Sequence, residues 1–134
     1  MSTLKAANIQ STTTGAPTFK TSAGTEIGQL IKAWVNFRVT SGTPSIKDDF
    51  NVTSITDEAA GDYTVNFTNA MANANYCVSI AAKLNGGSAA IPIPHYNGTS
   101  GGHATGSFRF QLSEATSYST TRDSDDVCFL AIGN

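Results

Sequence analysis

Apolar and polar residues alternate along several short segments of the chain, which is the pattern of half-buried β-strands. The alternation is clearest in Ala33–Val39 and Tyr63–Phe67, where every second residue is apolar. The same pattern, or a short apolar run, predicts further strands from Ile46, in Phe50–Ile55 with Phe50 and Val52 on one face, and in Tyr76–Ala82, Phe108–Leu112 and Val127–Ile132. The last run is apolar throughout, which predicts a central strand that is buried on both faces.

Turn residues separate these segments at intervals of about ten residues. Ser41–Pro44 is a turn signal, and the polar, Gly-containing stretch Asp57–Asp62 is typical of a hairpin loop. Ala89–Tyr96 carries two prolines, which cannot donate to a β-ladder, so it is predicted as an edge strand or an extended loop. Ser113–Asp126 is predicted as a long polar loop. The fold class is therefore all-β, an antiparallel β-sandwich or jelly-roll-like domain of about seven to nine short strands.

The first 31 residues lack this pattern. Residues 11–17 are polar and poor in apolar side chains, which is typical of an arm that a partner orders. We therefore predict an extended N-terminal arm over residues 1–31 and the β-sandwich over residues 32–134. Within the arm, a loose hairpin about Ser22–Gly24 is favoured over one or two helical turns in Glu26–Lys32.

The composition favours β structure and argues against two kinds of partner. Thr, Ser, Asn and Gly make up 54 of the 134 residues, whereas charged residues make up only 13% and the net charge is −2. Without a block of Lys or Arg, neither a nucleic acid nor an anionic membrane surface is expected as a partner. No apolar run approaches the roughly 20 residues that span a bilayer, and no signal-peptide pattern opens the sequence, so we expect a soluble product made in a cytosol.

The sequence contains no evident catalytic or cofactor-binding motif. Cys77 and Cys128 lie in apolar strands and are interpreted as buried thiols that act as small hydrophobes, with a disulfide between neighbouring strands as the alternative. His95 and His103 lack a third metal ligand at a suggestive spacing. The acidic cluster Asp123–Asp126 does not follow the EF-hand pattern and is interpreted as a solvated loop face. We expect no catalytic residue, no metal and no cofactor.

Aromatic side chains are the remaining candidates for a site. Trp34, Tyr63 and Tyr76 lie in strand-like segments, which favours core or interface packing. Two loops, residues 96–106 and 116–126, contain aromatic side chains that are suited to stacking on a sugar. The candidate receptor contacts in these loops are Tyr96, His103 and Tyr118.

A series of segments in the first 80 residues carries a family resemblance. The segments are Met1–Lys5 with Ile9-Gln10, Ser22–Gly28, Lys32–Phe37, Phe50–Asp57, Gly61–Phe67, Ala70-Met71 and Asn75-Tyr76. Together they resemble a module of tail-fibre and other virion structural proteins of tailed bacteriophages, especially phages of marine bacteria. The chain departs from that pattern in Arg38–Thr43, where the family usually has a Gly-rich turn, and it matches least from Ala89 onward.

The resemblance implies a non-enzymatic virion structural protein, assembled in the cytoplasm of the bacterial host. It implies a homotrimeric tail fibre or fibre tip whose arm binds other virion proteins of the tail or capsid, and whose β domain contacts a host surface glycan or protein. The arm offers three candidate attachment residues, Leu4, Ile9 and Phe19. A capsid decoration, cement or head-fibre protein is the alternative. The length favours it only weakly, because 134 residues is short for a complete tail fibre. A carbohydrate-depolymerising enzyme is a remote one, because nothing marks a nucleophile or a carboxylate pair.

Overall fold

The computed structural model describes residues 19–28, 30–83, 92–96, 101–115 and 117–133. Within these ranges it contains eleven strands and no helix, so the part that it describes has no helix that is long and apolar enough to cross a bilayer. The strands are β1 (Phe19–Lys20), β2 (Glu26–Gly28), β3 (Ile31–Thr40), β4 (Thr43–Phe50), β5 (Val52–Ala59), β6 (Asp62–Phe67), β7 (Cys77–Ala82), β8 (Pro92–His95), β9 (Ser107–Glu114), β10 (Ser117–Thr121) and β11 (Val127–Ile132).

The chain divides into two compact units, Met1–Leu30 and Ile31–Asn134. In the first unit, β1 and β2 pair antiparallel. The turn between them is closed by a hydrogen bond from the Thr21 amide to the Thr25 carbonyl at 2.8 Å. The predicted loose hairpin about Ser22–Gly24 is therefore confirmed, and the helical alternative is wrong.

The second unit is a β-sandwich of two antiparallel sheets. One sheet has the strand order β4-β3-β11-β7, and we call it the β11 sheet. The other has the order β10-β9-β6-β5 with β8 also paired to β9, and we call it the β9 sheet. The predicted antiparallel sandwich is confirmed, with nine strands in this unit.

An aromatic layer joins the two sheets. Phe129 of β11 lies against Phe108 and Phe110 of β9, with ring centroids 5.6 Å and 6.4 Å apart. Phe37 of β3 meets Tyr63 of β6 edge-on at 5.4 Å. All five side chains are at most 2% exposed. Burying each contributes about 1.5–3 kcal/mol, and the ring pairs add about 0.5–1.5 kcal/mol each, so this layer dominates the cohesion of the sheets.

The corner between β4 and β5 departs from the sequence prediction. Phe50 ends β4 and is exposed, whereas Val52 begins β5 and is buried. Asn51 between them has a φ of +59°, and its side-chain oxygen accepts a hydrogen bond from the Asn69 amide at 2.7 Å. The predicted single strand Phe50–Ile55 is wrong, because this left-handed residue breaks the strand where the chain passes from one sheet to the other.

After residue 89, one predicted element is confirmed and another is wrong. Pro92–His95 forms β8, which pairs only with β9 in the described part of the chain, so the predicted edge strand is confirmed. Ser113–Asp126 is not one long loop, because β9 continues to Glu114 and β10 follows at Ser117–Thr121. The polar residues of β10 gave no apolar alternation by which it could be found.

Asp123 ties the connection before β11 to the β5–β6 hairpin. Its Oδ1 accepts hydrogen bonds from the Gly61 amide at 2.8 Å and from the Tyr63 hydroxyl at 2.6 Å. Burial, and then this carboxylate, raise the pKa of Tyr63 well above its ordinary value. Ser124 is buried as well, with its hydroxyl donating to the Lys83 carbonyl at 3.0 Å. The predicted solvated face is therefore wrong for these two residues, which pin the loop.

Replacing Asp123 with Ala removes the acceptor of both bonds, so we expect it to lower the free energy of unfolding by about 1.5–3 kcal/mol. Tyr63→Phe removes one of the bonds and should cost about 1 kcal/mol. Asp125→Ala is the matched control, because its ion pair with Lys83 at 3.6 Å is exposed and should contribute less than about 1 kcal/mol. Urea unfolding measures all three, and equal losses in Asp123→Ala and Asp125→Ala would contradict the assignment.

Candidate functional site

The outer face of the β9 sheet is polar and hydrogen-bonded to itself. The Asn66 side-chain amide donates to the hydroxyls of Ser54 at 3.1 Å and Thr56 at 2.9 Å. The Thr64 hydroxyl donates to the Glu58 carboxylate at 2.8 Å. An antiparallel sheet with one face on the core and one in water has this arrangement, so this surface requires no partner.

A charged cluster on the same sheet is closed by its own contacts. Arg109 donates two hydrogen bonds of 2.9 Å to the carboxylate of Asp62, and Gln111 donates a third of 2.7 Å. The hydrogen bonds from Arg109 lower the pKa of Asp62, which is 4% exposed, and they raise the pKa of Arg109. Both carboxylate oxygens are occupied, so the cluster is suited to holding β6 against β9.

The outer face of the β11 sheet has the opposite character. Trp34 of β3 pairs with Phe50 of β4 on one side and Leu130 of β11 on the other, and cross-strand partners share a face of the sheet. We use the term apolar face for the six side chains that point away from the core here: Ile31, Trp34, Phe50, Cys128, Leu130 and Ile132. Phe50 is 53% exposed, Ile31 45% and Ile132 39%.

The apolar face overturns two sequence predictions. Strand β11 is central, but only one of its faces is buried, since Cys128 and Ile132 are exposed. Cys77 lies opposite Ile132 on β7 and is exposed too. Both cysteines are free thiols, so the interpretation as buried hydrophobes is wrong for the single chain. An alternation rule cannot distinguish a buried face from an apolar face that is left uncovered.

Two of the three predicted receptor contacts lie together at one end of the sandwich. The rings of Tyr96 and His103 meet edge-on with centroids 5.3 Å apart, and both pack on Phe108, at 5.8 Å and 4.8 Å. Tyr96 remains 54% exposed. An open groove of about 490 Å³ runs beside it and is lined by Val78, Ser79, Ile80, Pro94, His95, Tyr96 and Phe108. We call this region the aromatic end.

Buried Tyr76 supports the aromatic end from below. Its ring lies 4.8 Å from that of His103, and its hydroxyl is within 2.9 Å of the carbonyls of Ala104 and Ser107, to which it donates. Burial raises the pKa of Tyr76 to about 12. The loop that carries His103 is therefore fixed to the core, and Tyr96 is held on a rigid base.

The other predicted site residues are not brought to this end. Tyr118 lies in β10, which pairs with β9 at Ser113 and Glu114, about five residues or roughly 17 Å along the strand from Phe108. Phe19 lies in β1 and is 48% exposed. Leu4 and Ile9, the other predicted attachment residues, lie outside the described residues.

No group of three His, Cys, Asp or Glu side chains that could hold a metal ion occurs among the residues that the structure describes. Comparison of the chain with protein-family models, with curated proteins and with solved structures finds no match. The resemblance to phage fibre proteins therefore stays a prediction from the sequence segments that carry it.

The Asp62–Arg109 pair generates a prediction about acid stability. Because its folded-state pKa is lowered, Asp62 contributes stability above the pKa of an unfolded Asp, about 4, and loses it as the pH falls through the lower folded value. Asp62→Asn should lower the free energy of unfolding by about 1.5–3 kcal/mol at pH 7. That difference should shrink steadily below about pH 4 when urea unfolding is repeated there. A difference that is constant from pH 7 to pH 2 would show that the charge of Asp62 is irrelevant.

Proposed function

We propose that this chain is a non-enzymatic structural protein of a tailed-phage particle, and that it forms a homotrimeric tail fibre or fibre tip. The N-terminal unit, Met1–Leu30, attaches it to other virion proteins, and the β-sandwich, which begins at Ile31, projects toward the host. The observation that carries the proposal is the apolar face. A monomer rarely leaves a large contiguous apolar patch in water, so such a patch favours a subunit of an assembly.

The sequence resemblance supports the kind of assembly. Lys32–Phe37 lies within β3, and Gly61–Phe67 contains the last residue of the turn before β6 and the whole of that strand. Phe50–Asp57 spans the corner between the sheets. The segments that resemble phage fibre proteins thus build the central parts of both sheets, so the resemblance concerns the scaffold.

The part that resembles the family least supplies the aromatic end. Residues from Ala89 onward include β8, Tyr96 and His103. Tyr96 holds an exposed ring on a base of His103 and Phe108, which suits stacking on a sugar ring, and its hydroxyl offers a polar handle. We therefore assign contact with a host surface glycan or protein to this end, and recognition can vary there without change to the scaffold.

A capsid decoration or head-fibre protein is the second candidate. The same asymmetry of faces favours it, because an apolar outer face opposite a polar one also suits a subunit that lies flat on a shell. In this alternative, the apolar face would contact capsid protein instead of other copies of the chain.

The location of the protein on the particle tests the proposal and separates the two candidates. In purified particles of the phage that encodes the chain, immunogold labelling should mark the tail. Label over the capsid would support the decoration protein instead. Absence of the protein from particles, by mass spectrometry, would overturn both.

Host contact at the aromatic end is tested by Tyr96→Ala. Loss of one exposed aromatic anchor should weaken adsorption of otherwise normal particles about tenfold, or about 1.4 kcal/mol. Tyr96→Phe keeps the ring and should adsorb nearly normally if stacking dominates. Thr64→Ala, on the polar face, is the control. Normal adsorption of Tyr96→Ala particles, with the protein present in normal amount, would refute this site.

A further inference from the structure

We propose that the apolar face of the β11 sheet is the surface on which further copies of this chain pack. The inference deepens the proposed function, and it takes from that function only the number of copies, three. Its own content is the location of the interface and the chemistry that forms it.

Charged side chains surround the apolar side chains and carry both signs. Lys32 of β3 follows Ile31, and Asp48 of β4 lies opposite the residue that pairs with Cys128. At the other end of the sheet face, Lys47 pairs with Asp126 at 2.9 Å and Lys83 with Asp125 at 3.6 Å. Because both signs border the apolar side chains, copies that pack here can place opposite charges against each other.

The face has one half with bulky side chains and one half with small side chains. Bulky Trp34 and Phe50 project from the β3–β4 half, whereas the β7 half carries only small outward side chains, among them Ser79 and Ala81. Between them lies an open groove of about 500 Å³, which is lined by Ile31, Trp34, Val35, Asn36, Ser79, Ala81, Cys128, Phe129 and Leu130. In the proposed trimer, the aromatic half of one copy packs on the groove of the next, and a rotation of 120° between copies closes the ring.

The area of the sheet face limits how much of the interface it can supply. Four strands at about 4.8 Å spacing, with four outward rows about 6.6 Å apart, span roughly 500 Å² before the relief of the side chains is counted. A stable interface takes about 800 Å² from each partner, and each copy in a ring of three makes two contacts. The face therefore forms the centre of the proposed interface, and the trimer also buries surface beyond it.

Two exposed thiols report on the face. Cysteine is among the most frequently buried residue types, yet Cys77 and Cys128 both point outward from this sheet. When copies pack on the apolar face, both thiols become buried, as the apolar residues around each cysteine in the sequence predict. Their reactivity therefore measures whether the face is covered.

The test compares two variants that place a charge on the face with one that places it elsewhere. Light scattering of the purified full chain at tens of micromolar should give about three times the 14.0 kDa of one chain. Phe50→Lys and Leu130→Lys should give a single chain. Thr56→Lys, on the polar face of the β9 sheet, should remain assembled. Circular dichroism verifies that each variant is folded, and Phe50 is exposed enough that its replacement should leave the fold intact.

A second readout needs no variant. Reaction of the thiols with an aromatic disulfide reagent should be at least about tenfold slower in assembled protein than after dilution to a single chain. A wild-type protein that remains monomeric with fast thiols would overturn the inference, as would an assembly that persists in both face variants. A dimer that the face variants dissociate would support this interface and contradict the trimer of the proposed function.

Discussion

Strand β11 lies between β3 and β7, and its alternate side chains need cover on both sides of the sheet. On one side, Phe129 meets the aromatic rings of β9 and closes the sandwich. On the other side, Leu130 and Ile132 meet no second layer among the described residues of the β-sandwich unit, and Ile132 is exposed. The fold depends on the first contact, and the proposed assembly follows from the lack of the second. A sheet that is apolar on both faces is stable in water only when something covers the second face.

The outer faces of the two sheets consequently have different roles in the proposed function. The β9 sheet satisfies its outer polar groups internally, through Asn66 and the Asp62–Arg109 pair, and requires no partner. The β11 sheet carries the apolar area on which we propose that other copies pack. We assign host recognition to the aromatic end, where Tyr96 rests on His103. Ser79 of β7 lines both the groove beside Tyr96 and the groove of the apolar face, so the two proposed surfaces adjoin.

Much of the fold could be predicted from the sequence, because a period of two directly reports which side chains face the core. The strands β3 and β6 were found in this way, a continuous apolar run indicated β11, and Pro92 and Pro94 marked β8 as an edge. The break at Asn51 could not be predicted, because a polar residue between apolar Phe50 and Val52 fits the alternation of a continuous strand even when its backbone is left-handed. The role of Asp123 depends on Tyr63, sixty residues away, and only the tertiary fold brings the two together.

The candidate site was predicted in part. Loop context identified Tyr96 and His103 as surface aromatics, but their contact depends on how β9 carries Phe108 beneath both rings. Tyr118 has the same local context and lies toward the other end of β9. The apolar face was not predicted, although its residues were recognised as apolar. A strand that is buried on both faces and a strand with one exposed apolar face have the same continuous apolar sequence.

The most direct measurement uses the single tryptophan, Trp34, which lies at the centre of the apolar face. Its fluorescence emission and its quenching by acrylamide should be recorded as the protein is diluted from tens of micromolar to nanomolar. The account predicts a shift of the emission to longer wavelength and stronger quenching on dilution, as the indole passes from a covered surface into water. Emission and quenching that do not change with concentration, in a protein whose mass shows that it dissociates, would contradict the claim that copies meet on this face.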